Sequence, residues 1–222
     1  MGKELNFIEG IEGYLGEPKD CKMLIILREH GGKEKPAEDF WFHKVVDEEI
    51  KGGIKYYNVL GRLAKKIIGS KDKQEALKKC AFINLAPFWG GKICNDNKGN
   101  TGRFLGEGCV FDMFKNTALQ DKKQIKINKD SNAQDIAKQR LCLINQAIDS
   151  EVEYILTVRE IYDAICEKYG VTESGSIEFK SKGKTRKFEC CKINDTIIYS
   201  FYHPSYAGIG YGNLETIEIP KK

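Results

Sequence analysis

The sequence predicts an α/β fold: three α/β/α layers around a central, mainly parallel four-stranded sheet, plus a basic β-hairpin. Two observations carry this. Four short runs are almost continuously apolar, as expected for strands buried on both faces. Between them lie stretches with apolar residues at helical spacing, and strand alternating with helix is the rhythm of a parallel sheet. The chain of 222 residues can bury a core without a disulfide or metal staple. No linker or internal repeat divides it, so residues 1–222 are expected to form one domain.

The first apolar run is Lys22-Met-Leu-Ile-Ile-Leu27, ending in the polar cluster Arg28-Glu29-His30-Gly31-Gly32. Tyr57 to Ile68 then sets Leu60, Leu63, Ala64 and Ile67 on one helical face, with Gly69 as a stop. The second run, Cys80-Ala-Phe-Ile-Asn-Leu85, is closed by Pro87. Residues 90–108 hold six glycines and no apolar period, which predicts a long loop of the kind that often carries function. Ser131 to Ile148 opens on a capping residue and carries a loose stripe of Ile136, Leu141, Leu143, Ile144 and Ile148. The third run, Tyr154-Ile-Leu-Thr-Val158, leads directly into a helix over Arg159 to Tyr169 ended by Gly170, and the fourth is Thr196-Ile-Ile-Tyr-Ser-Phe201. Residues 176–193 read as a hairpin turning at Gly183.

Charge is unevenly spread. Lys+Arg of 36 against Asp+Glu of 32 give a formal net charge of only +4. Residues 179–192 alone contain Lys180, Lys182, Lys184, Arg186, Lys187 and Lys192 against Glu189, a local charge of +5. A run of charge is usually a solvated face, but a basic hairpin is also what a phosphate backbone would meet. The 41% hydrophobic and 31% charged content excludes a largely disordered chain. The N-terminal stretch has no apolar run suited to a signal peptide, and nothing reaches the length of a membrane span, so a cytoplasmic protein without a membrane partner is expected. The eight cysteines form no CxxC pair. Reduced thiols are the expectation, with no metal and no cofactor; a cluster on Cys21, Cys80, Cys94 and Cys109 has no support from spacing.

Ligands of open parallel sheets bind at the carboxyl ends of the strands. There the sequence delivers Glu29 and His30, then Asn84 followed by Phe88, then Arg159 and Glu160, and finally His203, Pro204, Ser205 and Tyr206. A carboxylate, a carboxamide and an imidazole are thereby expected to share one edge. Each has an ordinary alternative use: Glu29 in a surface ion pair, Asn84 as a turn cap, and His203 as a satisfied histidine. His30 and His43 with Glu29 could also hold a metal, but no spacing argues for it.

The strand followed by Glu29, the segment Phe82-Ile-Asn-Leu-Ala-Pro87 and the late Tyr202-His-Pro-Ser205 together resemble the uracil-DNA glycosylase superfamily over roughly residues 22 to 206. Members carry a polar residue just after the first strand, a middle strand ending in Asn, and a His-Pro-Ser loop after the last core strand. The resemblance implies a DNA glycosylase that hydrolyses the N-glycosidic bond of a deaminated base such as uracil.

The chemistry assigns roles to these residues. Breaking that bond builds positive charge on the sugar and negative charge on the departing base. A carboxylate at Glu29 would stabilise the sugar cation or orient water. A donor at His203 would stabilise the leaving anion. Asn84, both donor and acceptor, suits reading a base edge, and Phe88 is the candidate to stack on the extruded base, in competition with Phe40, Trp41 and Phe42. Ser205 and Tyr206, with Lys182, Lys184 and Arg186 of the hairpin, would contact DNA. A monomer is expected. Two other readings stand: a nucleic-acid-binding protein of this fold that does not cut, and a hydrolase of free nucleosides.

Overall fold

The computed structural model describes residues 5, 12–29, 55–86, 110–119, 123–127, 131–150, 152–181 and 183–202, with the backbone alone at 28, 29, 55–57 and 181. It is an α/β structure. Among the described residues seven strands form one sheet: β1 (Gly13–Tyr14), β2 (Met23–Glu29), β3 (Cys80–Ala86), β4 (Tyr154–Val158), β5 (Gly175–Ser181), β6 (Lys184–Ile193) and β7 (Thr196–Phe201). Their order across the sheet is β1-β3-β2-β4-β7-β6-β5. The four inner strands β3, β2, β4 and β7 are parallel, and they are the four apolar runs of the sequence.

Burial explains why those runs are continuous rather than alternating. Every residue of β3 and of β4 is buried, as are residues 23–27 of β2, because side chains on both faces meet other layers. Met23, Leu24, Ile25 and Ile26 have no exposed surface at all. One hydrophobic core joins them to residues of every helix described below.

Two antiparallel additions widen the sheet beyond the four strands expected. At one edge β1 pairs with β3 through Gly13–Phe82 and Tyr14–Ala81, a strand too short to show a period in the sequence. At the other, the β5–β6 hairpin is continuous with the sheet, because β6 pairs antiparallel with β7. Without these, β3 and β7 would each present an unpaired backbone edge. The hairpin turns at Gly183, whose φ of 73° suits a residue without a side chain.

Among the described residues five α-helices lie between the strands: α1 (Lys55–Ile68), α2 (Lys73–Lys78), α3 (Val110–Asn116), α4 (Ala133–Ile148) and α5 (Arg159–Lys168). The expected cap at Ser131 moves by one residue, since the cap is Asn132, whose side chain accepts from the Asp135 amide at 2.9 Å. Gly69 follows α1 and Gly170 lies just beyond α5, both at positive φ, the usual C-terminal stop. α3 and α4 pack on β3, and α5 packs on β4 and β7. Among the described residues no helix is long and apolar enough to cross a membrane.

Candidate functional site at the carboxyl edge of the sheet

The chain passes from β2 outward to β3, then returns past β2 to β4. The winding direction therefore changes between β2 and β4, and the crevice beyond their carboxyl ends is where such sheets receive ligands. Register fixes what lies there. Glu29 ends β2 opposite Ala86, two residues beyond the Leu27–Asn84 pair, and Val158 ends β4 opposite Phe201. Glu29 and Asn84 thus stand on adjacent strands near one edge, and Tyr202 leaves β7 at that same edge. Two strand ends differ from expectation: β2 runs two residues past Leu27 and so includes Glu29, and β3 runs one residue past Leu85 to Ala86. Parallel ladder pairing, which reaches Glu29–Ala86, extends both strands.

Asn84 is held by a pair of residues the sequence reading did not single out. Its backbone N–H donates to Glu12 Oε1 at 2.9 Å, while Arg140 Nη1 donates to Glu12 Oε2 at 2.8 Å. The ion pair is enclosed: the side chains of Arg140 and Glu12 are 0% and 1% exposed. Glu12 precedes the edge strand β1 and Arg140 lies mid-way along α4, so one carboxylate ties the sheet edge to its covering helix. Asn84 itself is 8% exposed. The signal for Arg140 was present in the spacing: Ile136, Arg140, Ile144 and Ile148 recur every four residues, which puts the arginine in the middle of the apolar stripe.

The hairpin reaches the same edge. Since Cys190 pairs with Tyr199, Phe188 falls opposite Phe201, the last residue of β7. Residues 184–187 of β6 and their β5 partners therefore extend past the end of β7 by about 13 Å, at roughly 3.3 Å per residue. This overhang carries Lys180, Lys184, Arg186 and Lys187 against Glu178. Lys187 meets Glu178 at 3.5 Å, and Lys180 and Lys184 are exposed. Arg186 is half-buried, with its guanidinium 5.9 Å from the centroid of the Tyr202 ring. Tyr202 in turn packs on Phe188, which stacks on Phe179 at 4.6 Å. The residue preceding His203 is thus braced by the hairpin.

At the switch between β2 and β4, Arg159 opens α5. Its hydrogen bonds to Asp163 and then to Glu189 raise its pKa and occupy its charge within the protein. Among the described residues, the basic surface of this edge accordingly belongs to the hairpin.

Asn84 and the basic hairpin share this edge of the sheet without meeting. Asn84 and the hairpin are separated by β2, β4 and β7, roughly 19 Å at about 4.8 Å per strand spacing. The side chain of Glu29, together with Phe88, Lys182, His203, Ser205 and Tyr206, lies outside the described residues, as do His30, Phe40, Trp41, Phe42, His43, Cys94, Cys109 and the 90–108 loop. Cys21 and Cys80 lie at the opposite, amino edge, where their thiols donate to the Met23 and Ala76 carbonyls. Among the described residues no group of His, Cys, Asp and Glu could hold a metal ion. No protein-family model matches the chain, and no curated protein does.

Proposed function

We propose that this protein is a DNA glycosylase of the uracil-DNA glycosylase type, hydrolysing the N-glycosidic bond of a deaminated base. The observation that carries the reading is convergence: Glu29 and Asn84 on adjacent parallel strands, the chain leaving β7 toward His203, and a cationic overhang all share one edge of the sheet. Crossovers of the usual right hand would put the β2–β3 and β3–β4 connections on opposite faces, which supports three α/β/α layers.

In this reading the hairpin holds phosphates while the strand ends address the flipped nucleotide. A separation of roughly 19 Å corresponds to about five or six nucleotide steps of one strand at about 3.4 Å each, a reasonable footprint. Asn84, fixed through its backbone by Glu12, reads the base edge. Glu29 stabilises the sugar cation or orients water, and His203 donates to the leaving base.

The test is excision from oligonucleotides carrying uracil or hypoxanthine. Abasic product is expected with the wild-type chain. His203→Ala should lower the rate by about 10²–10³, the usual cost of removing a donor to a developing anion. Glu29→Ala and Asn84→Ala should also lower it, and absence of product at high enzyme concentration sinks the reading.

Arg28 stands where the family usually carries glycine, and no proline follows Glu29 closely, which favours a second reading: a protein that inspects nucleic acid without cutting it. Binding with steep salt dependence and no abasic product would select it.

A further inference from the structure

Cys166, in the last turn of α5, and Cys191, in β6, stand with their sulfurs 3.5 Å apart, although 25 residues separate them in the chain. The pairing is specific to Cys191. Neighbours in an extended strand point to opposite faces, so Cys190 leaves on the other side. Its sulfur lies 3.1 Å from where a Cβ on Gly175 would stand. Both members of the close pair are free thiols. We propose that Cys166 and Cys191 are a redox-active dithiol that closes to a disulfide by exchange with a small disulfide of the glutathione class, fastening α5 to the root of the hairpin.

Access orders the two steps. Cys166 is half-buried and reachable, whereas Cys191 is only 5% exposed, so Cys166 attacks first. Its thiolate forms a bond to one sulfur of the small disulfide, whose S–S bond breaks, and one small thiolate leaves and takes up a proton. Cys191 then gives its proton to solvent and attacks Cys166 Sγ, releasing the second small thiol. Two protein thiols are oxidised by two electrons, and the small disulfide is reduced to two thiols. For the second step the sulfurs must approach by about 1.5 Å, to the bond length of about 2.05 Å, a side-chain movement.

The surroundings suit this order. Hydrogen bonding with Cys191 holds the Cys166 thiol down to about 7 against burial, with Tyr162 assisting and the carboxylates of Asp163 and Glu189 opposing. The Tyr162 hydroxyl is buried and meets no partner at full hydrogen-bond geometry, yet it lies close enough to both sulfurs to favour charge there. Cys191 is pushed up, first by its hydrogen bond with Cys166 and then by burial. Once Cys166 is capped as a mixed disulfide, the thiolate that retained the Cys191 proton is gone, and the second attack is released. In a reducing compartment the pair rests as the dithiol and closes only when the small-disulfide pool rises.

The experiment treats the full chain with oxidised glutathione, alkylates the remaining thiols and digests with trypsin without reduction. Fragment 160–168 should appear linked to fragment 188–192, and dithiothreitol should separate them. The latter fragment holds both Cys190 and Cys191, so variants assign the bond. The link should survive Cys190→Ala and be lost in Cys191→Ala, with glutathione accumulating on Cys166 instead. A 160–168 fragment that stays unlinked in the wild-type chain, or a link that survives Cys191→Ala, overturns the proposal.

Discussion

The two ends of the parallel strands handle charge in opposite ways. At the amino edge the strands are laced together: the Lys22 and Met23 amides both donate to the Lys79 carbonyl, those of Glu153 and Tyr154 to the Lys22 carbonyl, and that of Ile197 to the Glu153 carbonyl. Side chains are matched there too, with Lys22 on Glu153 at 2.7 Å and Lys79 on Glu75 at 2.9 Å. A cleft of about 740 Å³ opens at this edge, but its four lysines face four carboxylates. The carboxyl edge has the overhanging hairpin, where, among the described residues, four basic residues meet one acid. A large cleft with balanced charge attracts neither sign, whereas an unbalanced projection selects polyanions. Imbalance, more than volume, distinguishes the end proposed to meet nucleic acid.

The sharpest way to break this contrast acts on the buried pair behind Asn84. Arg140→Met removes the guanidinium from the enclosed Glu12 carboxylate, which should cost about 3–5 kcal/mol in denaturant unfolding. Two of the Arg140 nitrogens, Nε and Nη2, are buried with no hydrogen bond among the described residues, so the pair is incompletely satisfied. Glu12→Gln with Arg140→Met should therefore recover most of the loss. If Arg140→Met alone unfolds at the wild-type midpoint, the pair does not brace the β3 edge.

The parallel core was readable because burial on both faces writes itself as unbroken apolar runs. Tyr154–Val158 and Thr196–Phe201 were delimited to the residue. What escaped has a physical reason in each case. The two residues of β1 are too few for any period, and its pairing with β3 is a contact between distant parts of the chain. Arg140 carries a charge that reads as solvent-facing until its place between Ile136 and Ile144 is weighed. Glu12 follows no motif at all; only the tertiary meeting with Arg140 gives it a role. The Cys166–Cys191 contact joins a helix to a strand and leaves no spacing to detect. Of the candidate site, the ordering of Glu29 and Asn84 along one edge was foreseeable, while the buried support beneath Asn84 was not.

A smaller effect sharpens the role of the hairpin. Each lysine that neutralises a phosphate contributes about 0.7–0.9 to the slope of log affinity against log salt. Lys180→Ala with Lys184→Ala should therefore flatten that slope by about 1.4–1.8 for an oligonucleotide, measured by fluorescence anisotropy across a salt series. The same substitutions should leave unfolding nearly unchanged, since both side chains are exposed. An unaltered slope would mean that the overhang is only a solvated face.

The smallest effect is expected at the amino edge itself. Lys22 and Glu153 make a close contact, but their side chains are 44% and 28% exposed, so water and salt screen most of the attraction. A double-mutant cycle with Lys22→Ala and Glu153→Ala should give a coupling of about 0.2–1 kcal/mol, shrinking further at high salt. The backbone lacing would keep the strand starts aligned in every variant, because none of those hydrogen bonds uses a side chain. A coupling of several kcal/mol, insensitive to salt, would place this pair beside Glu12–Arg140 as a structural brace. The amino edge would then owe its order to side-chain charge, and matched charge there could no longer be read as mere neutrality toward a partner.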